Sequence, residues 1–150
     1  METMKHPEVE ILHSAFVQPL PLPCAPVLRA GFPSPAEAYE VEPLDFNKDM
    51  IRHPDTTFYA RVSGDSMIDA GIHDGDIVVV DRSLEAQNGD MVVAFYNREY
   101  TLKYYDDSHK EDGYIQLVPA NKAYPVFKIT ADDDFMIWGV VLYAIRNFRK

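Results

Sequence analysis

The sequence predicts an all-β domain carried behind a proline-rich arm. From Phe58 onward, apolar residues come in short runs of strand length separated by Gly, Asn and Asp turn signals. No stretch after Ile51 calls for a helix of ordinary length. Two runs, Ile77 to Val80 and Phe135 to Phe148, are apolar on both alternating sets of positions, the pattern of strands covered on both faces. Together these features favour bent short strands over a regular sandwich.

Taken in order, Met1 to Pro35 does not read as a packed unit. Seven prolines, Pro7, Pro19, Pro21, Pro23, Pro26, Pro33 and Pro35, remove backbone donors and turn their predecessors away from helix. Pro19 to Pro23 favours an extended course, while Ile11, Leu12, Phe16, Val27, Leu28 and Phe32 suggest intermittent contact with a partner or with the chain's own domain. Ala36 to Asn47 is a transition, and Phe46 to Ile51 has room for one helical turn before Pro54. Phe58 to Val62 is the first strand of the domain. Met67 to Ala70 holds no more than a turn of helix, and Gly71 to Asp76 is a turn before the β-branched strand Ile77 to Val80.

Gln87 to Asp90 signals the next turn. Met91 to Tyr96 and Tyr100 to Tyr105 then form a hairpin through Asn97 and Arg98. A charged loop, Asp106 to Gly113, leads to the strand Tyr114 to Val118, stopped by Pro119. After an irregular stretch, Val126 to Ile129 is a short strand. The final run is expected to be central in the sheet or at a subunit contact, because both its faces are apolar.

Composition narrows the function. The 150 residues suffice for one domain with a core, and a formal net charge of -10 argues against nonspecific nucleic-acid binding. A single cysteine permits no intrachain disulfide and no cysteine-rich metal site. His53, His73 and His109 are scattered among loops without a metal-ligand spacing. Asp65, Asp69, Asp74 and Asp76 lack the pattern of a calcium loop and read as solvated turn carboxylates. No metal or cofactor is expected. There is neither an apolar run of spanning length nor a basic-then-apolar leader, so a cytoplasmic setting without membrane association is expected.

The chemistry concentrates at Ser63-Gly64-Asp65-Ser66-Met67, where a Gly-containing turn after a strand presents Ser66 to a cleft. A serine alone is a poor nucleophile and needs a base. Lys103 is the candidate, since it lies in the strand-like run Tyr100-Thr101-Leu102-Lys103-Tyr104-Tyr105, where Thr101, Lys103 and Tyr105 share a face. Enclosure among tyrosines disfavours the ammonium, and a neutral amine can take a proton from Ser66 and return it to a leaving amine. Considered singly, Ser66 also reads as an ordinary turn serine. Lys103 also reads as an edge-strand lysine whose stem covers apolar surface. Their separation is compatible with neighbouring strands but does not bring the side chains together.

Beyond these two residues, Ser63 to Asp69 followed by Gly71 to Asp76 resembles the serine region of the LexA/UmuD group of self-cleaving serine-lysine peptidases (S24 type). Glu99-Tyr100-Thr101-Leu102-Lys103 resembles the group's lysine strand. Ala30-Gly31-Phe32-Pro33-Ser34-Pro35-Ala36 is similar to the cleavage segment of its UmuD branch. Leu117 to Asn121, Tyr124 and Trp138 to Val141 continue the likeness, which runs from Ala30 to the end and is weak or absent before it.

The resemblance implies a LexA/signal-peptidase-like β domain with Ser66 as nucleophile, Lys103 as general base and Ala30–Gly31 as the bond cut. Cys24–Ala25 is the weaker alternative. It divides the chain into a removable arm (1–30), an arm and transition segment (31–57) and a peptidase-like domain (58–150). It further implies a homodimer, stimulation by a RecA filament on single-stranded DNA, and assembly with a UmuC-like DNA polymerase subunit, and with other replication subunits, for error-prone synthesis past lesions in the SOS response. A LexA-like or phage repressor is the rival reading, but the first 30 residues lack the pattern of a helix-turn-helix unit, so no sequence-specific DNA binding is expected. A third reading is a catalytically inactive polymerase-binding β module.

Overall fold

The computed structural model describes residues 8–12 and 45–149. The described residues fall into two units, 45–54 and the combination of 8–12 with 55–149. In the smaller, Asp45 caps a single helical turn, α1 (Phe46–Asp49), by accepting from the Asn47 N–H at 3.0 Å. The expected turn at Phe46 to Ile51 is therefore present, two residues shorter.

The larger unit is one antiparallel sheet. Its strands are β1 (Val9–Leu12), β2 (Thr57–Val62), β3 (Ile77–Asp81), β4 (Met91–Tyr96), β5 (Glu99–Asp106), β6 (Tyr114–Val118), β7 (Phe127–Thr130) and β8 (Phe135–Ile145), in the spatial order β1-β2-β3-β8-β4-β5-β6-β7. Every strand expected from Phe58 onward is present within one residue of its expected ends, except the last, which stops at Ile145, three residues short of Phe148. The all-β expectation holds, since period-2 patterning and turn chemistry are local signals. Between β4 and β5, Asn97 and Arg98 both adopt positive φ (50° and 65°), which suits a two-residue hairpin turn.

The described part of the arm, residues 8–12, contains a strand. Val9–Leu12 pairs with β2 in the register Val9↔Val62 to Leu12↔Tyr59, and Val9 is buried in the core. Glu8-Val9-Glu10-Ile11 already carries the polar–apolar alternation of a half-buried strand, and only the first of the seven prolines precedes it.

β8 holds the sheet together. Its C-terminal half pairs with β3 and its N-terminal half with β4, with register shifts at Val79/Val80 and at Val93/Ala94. These irregularities bend the sheet over two apolar clusters. One gathers Val62, Met67, Val78, Val80, Leu102 and Trp138, and the other Val92, Ala94, Leu117, Ile129 and Val140. The expectation of full cover on both faces of the last strand needs correction: Trp138, Gly139 and Val140 are buried, but Met136, Leu142, Tyr143 and Ile145 are exposed. The strand is central where it bridges β3 and β4, and its exposed ends remain paired, Met136 with Phe95 of β4 and Tyr143 and Ile145 with Val79 and Ile77 of β3.

Candidate active site

Ser66 follows β2 on a turn whose first glycine, Gly64, takes φ 89°, a conformation that disfavours side chains. The Gly64 N–H donates to Asp74 Oδ1 at 2.8 Å, tying this turn to the one before β3. From the other side, the segment after β6 grips it. Asp69 N–H donates to the Ala120 carbonyl at 2.8 Å, and the Asn121 amide donates to the Asp65 carbonyl at 2.9 Å. The Tyr124 hydroxyl donates to Asp65 Oδ1 at 2.5 Å. That carboxylate raises the ionisation of the Tyr124 phenol above its ordinary value, chiefly through the hydrogen bond. Met67, buried directly behind Ser66, anchors the turn in the core.

Lys103 comes from the middle of β5, opposite the fully buried Val92 of β4. Its side chain is 3% exposed, and its Nζ lies 3.1 Å from Ser66 Oγ. Two residues separated by 37 positions thus meet within hydrogen-bond reach. The amine also donates to Thr101 Oγ1 at 2.9 Å and to the Leu102 carbonyl at 3.0 Å, which fixes its direction. Thr101 shares the lysine's face because strand side chains alternate, so its role is legible from spacing once Lys103 is placed.

Glu8 completes the cluster, a residue that the sequence reading did not single out. Its Oε1 accepts from Lys103 Nζ at 2.8 Å and from Ser66 Oγ at 2.9 Å, while its Oε2 accepts from Thr101 Oγ1 at 2.8 Å. The sequence reading placed Lys103 among tyrosines; the structure adds a carboxylate 2.8 Å from its Nζ. The signal that could have found it is the short alternating run beginning at Glu8.

A second correction concerns the neighbouring acidic turn. Asp76 is buried at 2% exposure rather than solvated. It accepts from Arg146 Nε at 2.9 Å, from an Arg146 terminal nitrogen at 2.8 Å and from His73 N–H at 2.8 Å. The Arg146 hydrogen bond is the largest cause holding its carboxyl below the ordinary range, against the opposing effect of burial. Arg146 also donates to the Gly71 carbonyl, so the turn after Ser66 is pinned to the end of β8.

Glu8, Ser66, Thr101 and Lys103 line a cleft of about 910 Å³, together with Tyr96, Arg98, Tyr100, Pro125 and Phe127. Ala30, Gly31, Cys24 and Ala25 lie outside the described residues, so the cleft is known here without the bond it is expected to cut. No helix among the described residues is long and apolar enough to cross a membrane.

A hydroxyl and an amine set side by side in an apolar-walled cleft, on a bent antiparallel sheet, form the arrangement of a serine-type peptidase. Residues 26–142 match the family model described as Peptidase S24-like. Protein MucA of Salmonella typhimurium is 44% identical over 119 residues, covering 79% of each chain. Protein ImpA of Escherichia coli is 37% identical over 136 residues, covering 91% of this chain and 88% of its own. The LexA repressor of Syntrophotalea carbinolica is 38% identical over 145 residues, covering 93% of this chain and 66% of its own. The chain belongs to the Peptidase S24-like family, the self-cleaving peptidases of LexA and UmuD type. It is accordingly a serine-type self-cleaving peptidase with an accessory or regulatory role in SOS-related processes.

Proposed function

We propose that Ser66 and Lys103 cut the chain's own Ala30–Gly31 bond, releasing residues 1–30 and leaving a shortened domain that begins at Gly31. The observation that carries this reading is the 3.1 Å approach of Lys103 Nζ to Ser66 Oγ inside the cleft. The neutral amine removes the hydroxyl proton as Oγ attacks the Ala30 carbonyl carbon. The tetrahedral intermediate collapses as the carbon–nitrogen bond breaks, with the Lys103 proton going to the Gly31 amine. Water, deprotonated by Lys103, then attacks the Ala30 ester, yielding the Ala30 carboxylate and restoring Ser66. A small Ala30 suits a confined pocket, and Gly31 lets the backbone approach without a side-chain clash.

On this reading, 1–30 is a removable arm, 31–57 a transition and 58–150 the peptidase-like domain. Likeness to the UmuD branch supports stimulation by a RecA filament on single-stranded DNA. It also supports a processed homodimer that joins a UmuC-like polymerase subunit for synthesis past lesions in the cytoplasm. The exposed Leu142, Tyr143 and Ile145 at the end of β8 support self-association.

Incubation with a RecA–single-stranded-DNA–nucleotide complex, or at mildly alkaline pH, is expected to produce a fragment starting at Gly31. Mass measurement checks the bond, and a cut after Cys24 would reassign it. Ser66→Ala and Lys103→Ala are each expected to abolish the cut while circular dichroism shows an intact fold. Normal processing by either variant, in a preparation free of other proteases, overturns the assigned roles.

A further inference from the structure

Resting on that reading of the site, we propose that Glu8 is a built-in latch: the strand Val9–Leu12 docks on β2 and delivers a carboxylate that holds the Ser66–Lys103 pair inactive. Three observations carry it. First, Glu8 Oε1 lies 2.9 Å from Ser66 Oγ. A carbonyl carbon under attack must itself come within about 3–3.5 Å of that oxygen, so the carboxylate and the scissile peptide exclude each other. Second, Lys103 Nζ lies 2.8 Å from Glu8 Oε1 and within hydrogen-bond reach of three further oxygens, those of Ser66, Thr101 and Leu102. An ammonium so engaged has no lone pair with which to take the serine proton. Third, the carboxylate is positioned by main chain. The Ser63 N–H donates to the Glu8 carbonyl at 2.7 Å, continuing the β1–β2 ladder, and the neighbouring Val9 is buried in the core.

The latch and the bond to be cut belong to one chain. Ala30 is 18 residues beyond Leu12 in the sequence, a stretch that can span up to about 60 Å when extended, so withdrawal of Glu8 leaves ample length for Ala30 to reach Ser66. Cleavage there severs Glu8 from the domain together with residues 1–30. A stimulus that binds the chain better with Glu8 withdrawn shifts the balance toward cutting, by no more than its preference for that state.

The test compares full-length wild type, Glu8→Gln and Glu8→Ala at neutral pH without any stimulating partner. Appearance of the Gly31 fragment is followed by mass, and Ser66 is labelled in parallel with a fluorophosphonate, which reports nucleophilicity independently of the cut. Loss of a charge-assisted hydrogen bond sets the scale. Glu8→Ala is expected to accelerate both readouts by on the order of ten- to a hundredfold, and Glu8→Gln, which keeps the bulk without the charge, by less. Ser66→Ala in the Glu8→Ala background must abolish both. Equal rates in all three chains overturn the latch while leaving the peptidase reading intact. A slower Glu8→Ala assigns Glu8 to holding Lys103 in place and also overturns it. If no chain cuts under any stimulus, the Ala30–Gly31 reading fails, and labelling alone decides the latch: faster labelling in Glu8→Ala supports it, and equal, slower or no labelling overturns it.

Discussion

Gly139→Ala is the perturbation that tests how the sheet is held together. Gly139 sits where β8 passes from β4 to β3, and a Cβ built on it would lie 2.5 Å from Val80 Cγ1 and 3.3 Å from the Asp81 carbonyl. Carbon pairs settle at about 3.5–4.0 Å, so the overlap is on the order of 1 Å. Val80 is fully buried, and its β-branched side chain has little freedom to turn aside. Overpacking of this kind costs about 1–3 kcal/mol. Reduced freedom of the unfolded chain returns about 0.4–1 kcal/mol, since Gly139 does not have positive φ. The net loss is about 1–2 kcal/mol, which for a chain of this length lowers Tm by ~2–8 °C. Trp138, the only tryptophan in the chain, is buried and packs against Phe58 at a tilt and against Tyr100 edge-on, so its fluorescence reports the change during urea unfolding. Combining Gly139→Ala with Val80→Ala should relieve the clash, leaving the double variant more stable than the sum of the single losses by about 1 kcal/mol. An unchanged urea midpoint for Gly139→Ala, or strict additivity in the cycle, refutes the reasoning.

Two further outcomes follow from the electrostatics beside the serine turn. The folded-state ionisation of Asp76 is depressed, so its pairing stabilises the fold fully above the carboxyl's ordinary value of 3.8 and progressively less as pH falls through the lower folded value. Arg146→Gln removes the largest cause of that depression and should shrink the stability lost between neutral and acid pH; urea midpoints showing an unchanged acid slope contradict this. Asp65→Asn removes the carboxylate that raises the Tyr124 phenol and should move its ionisation to lower pH, seen in the ring signals of Tyr124 by NMR. No movement places the cause elsewhere.

The site divides into parts that are local in sequence and parts that are not. Gly64 beside Ser66, and Thr101 two residues before Lys103, were legible because turn chemistry and strand alternation act over a few residues. The burial of Asp76 was not, because its partner Arg146 is 70 residues away, beyond the end of an apolar strand. The exposed ends of β8 were misjudged for a related reason: alternation tells which residues share a face, while cover depends on what packs against that face.

The sequence by itself determined the all-β class and the boundaries of β2 through β8 to within three residues, and it singled out Ser66 and Lys103. Each of these follows from periodicity, turn residues or a short motif, which operate within a single element. Only the tertiary structure decided that β8 lies between β3 and β4, that Ser66 and Lys103 touch, and that Glu8, 95 residues before Lys103, accepts from both the hydroxyl and the amine. Such contacts depend on which strands pair across the whole chain, and that choice is made by packing the complete core rather than by any stretch of residues alone.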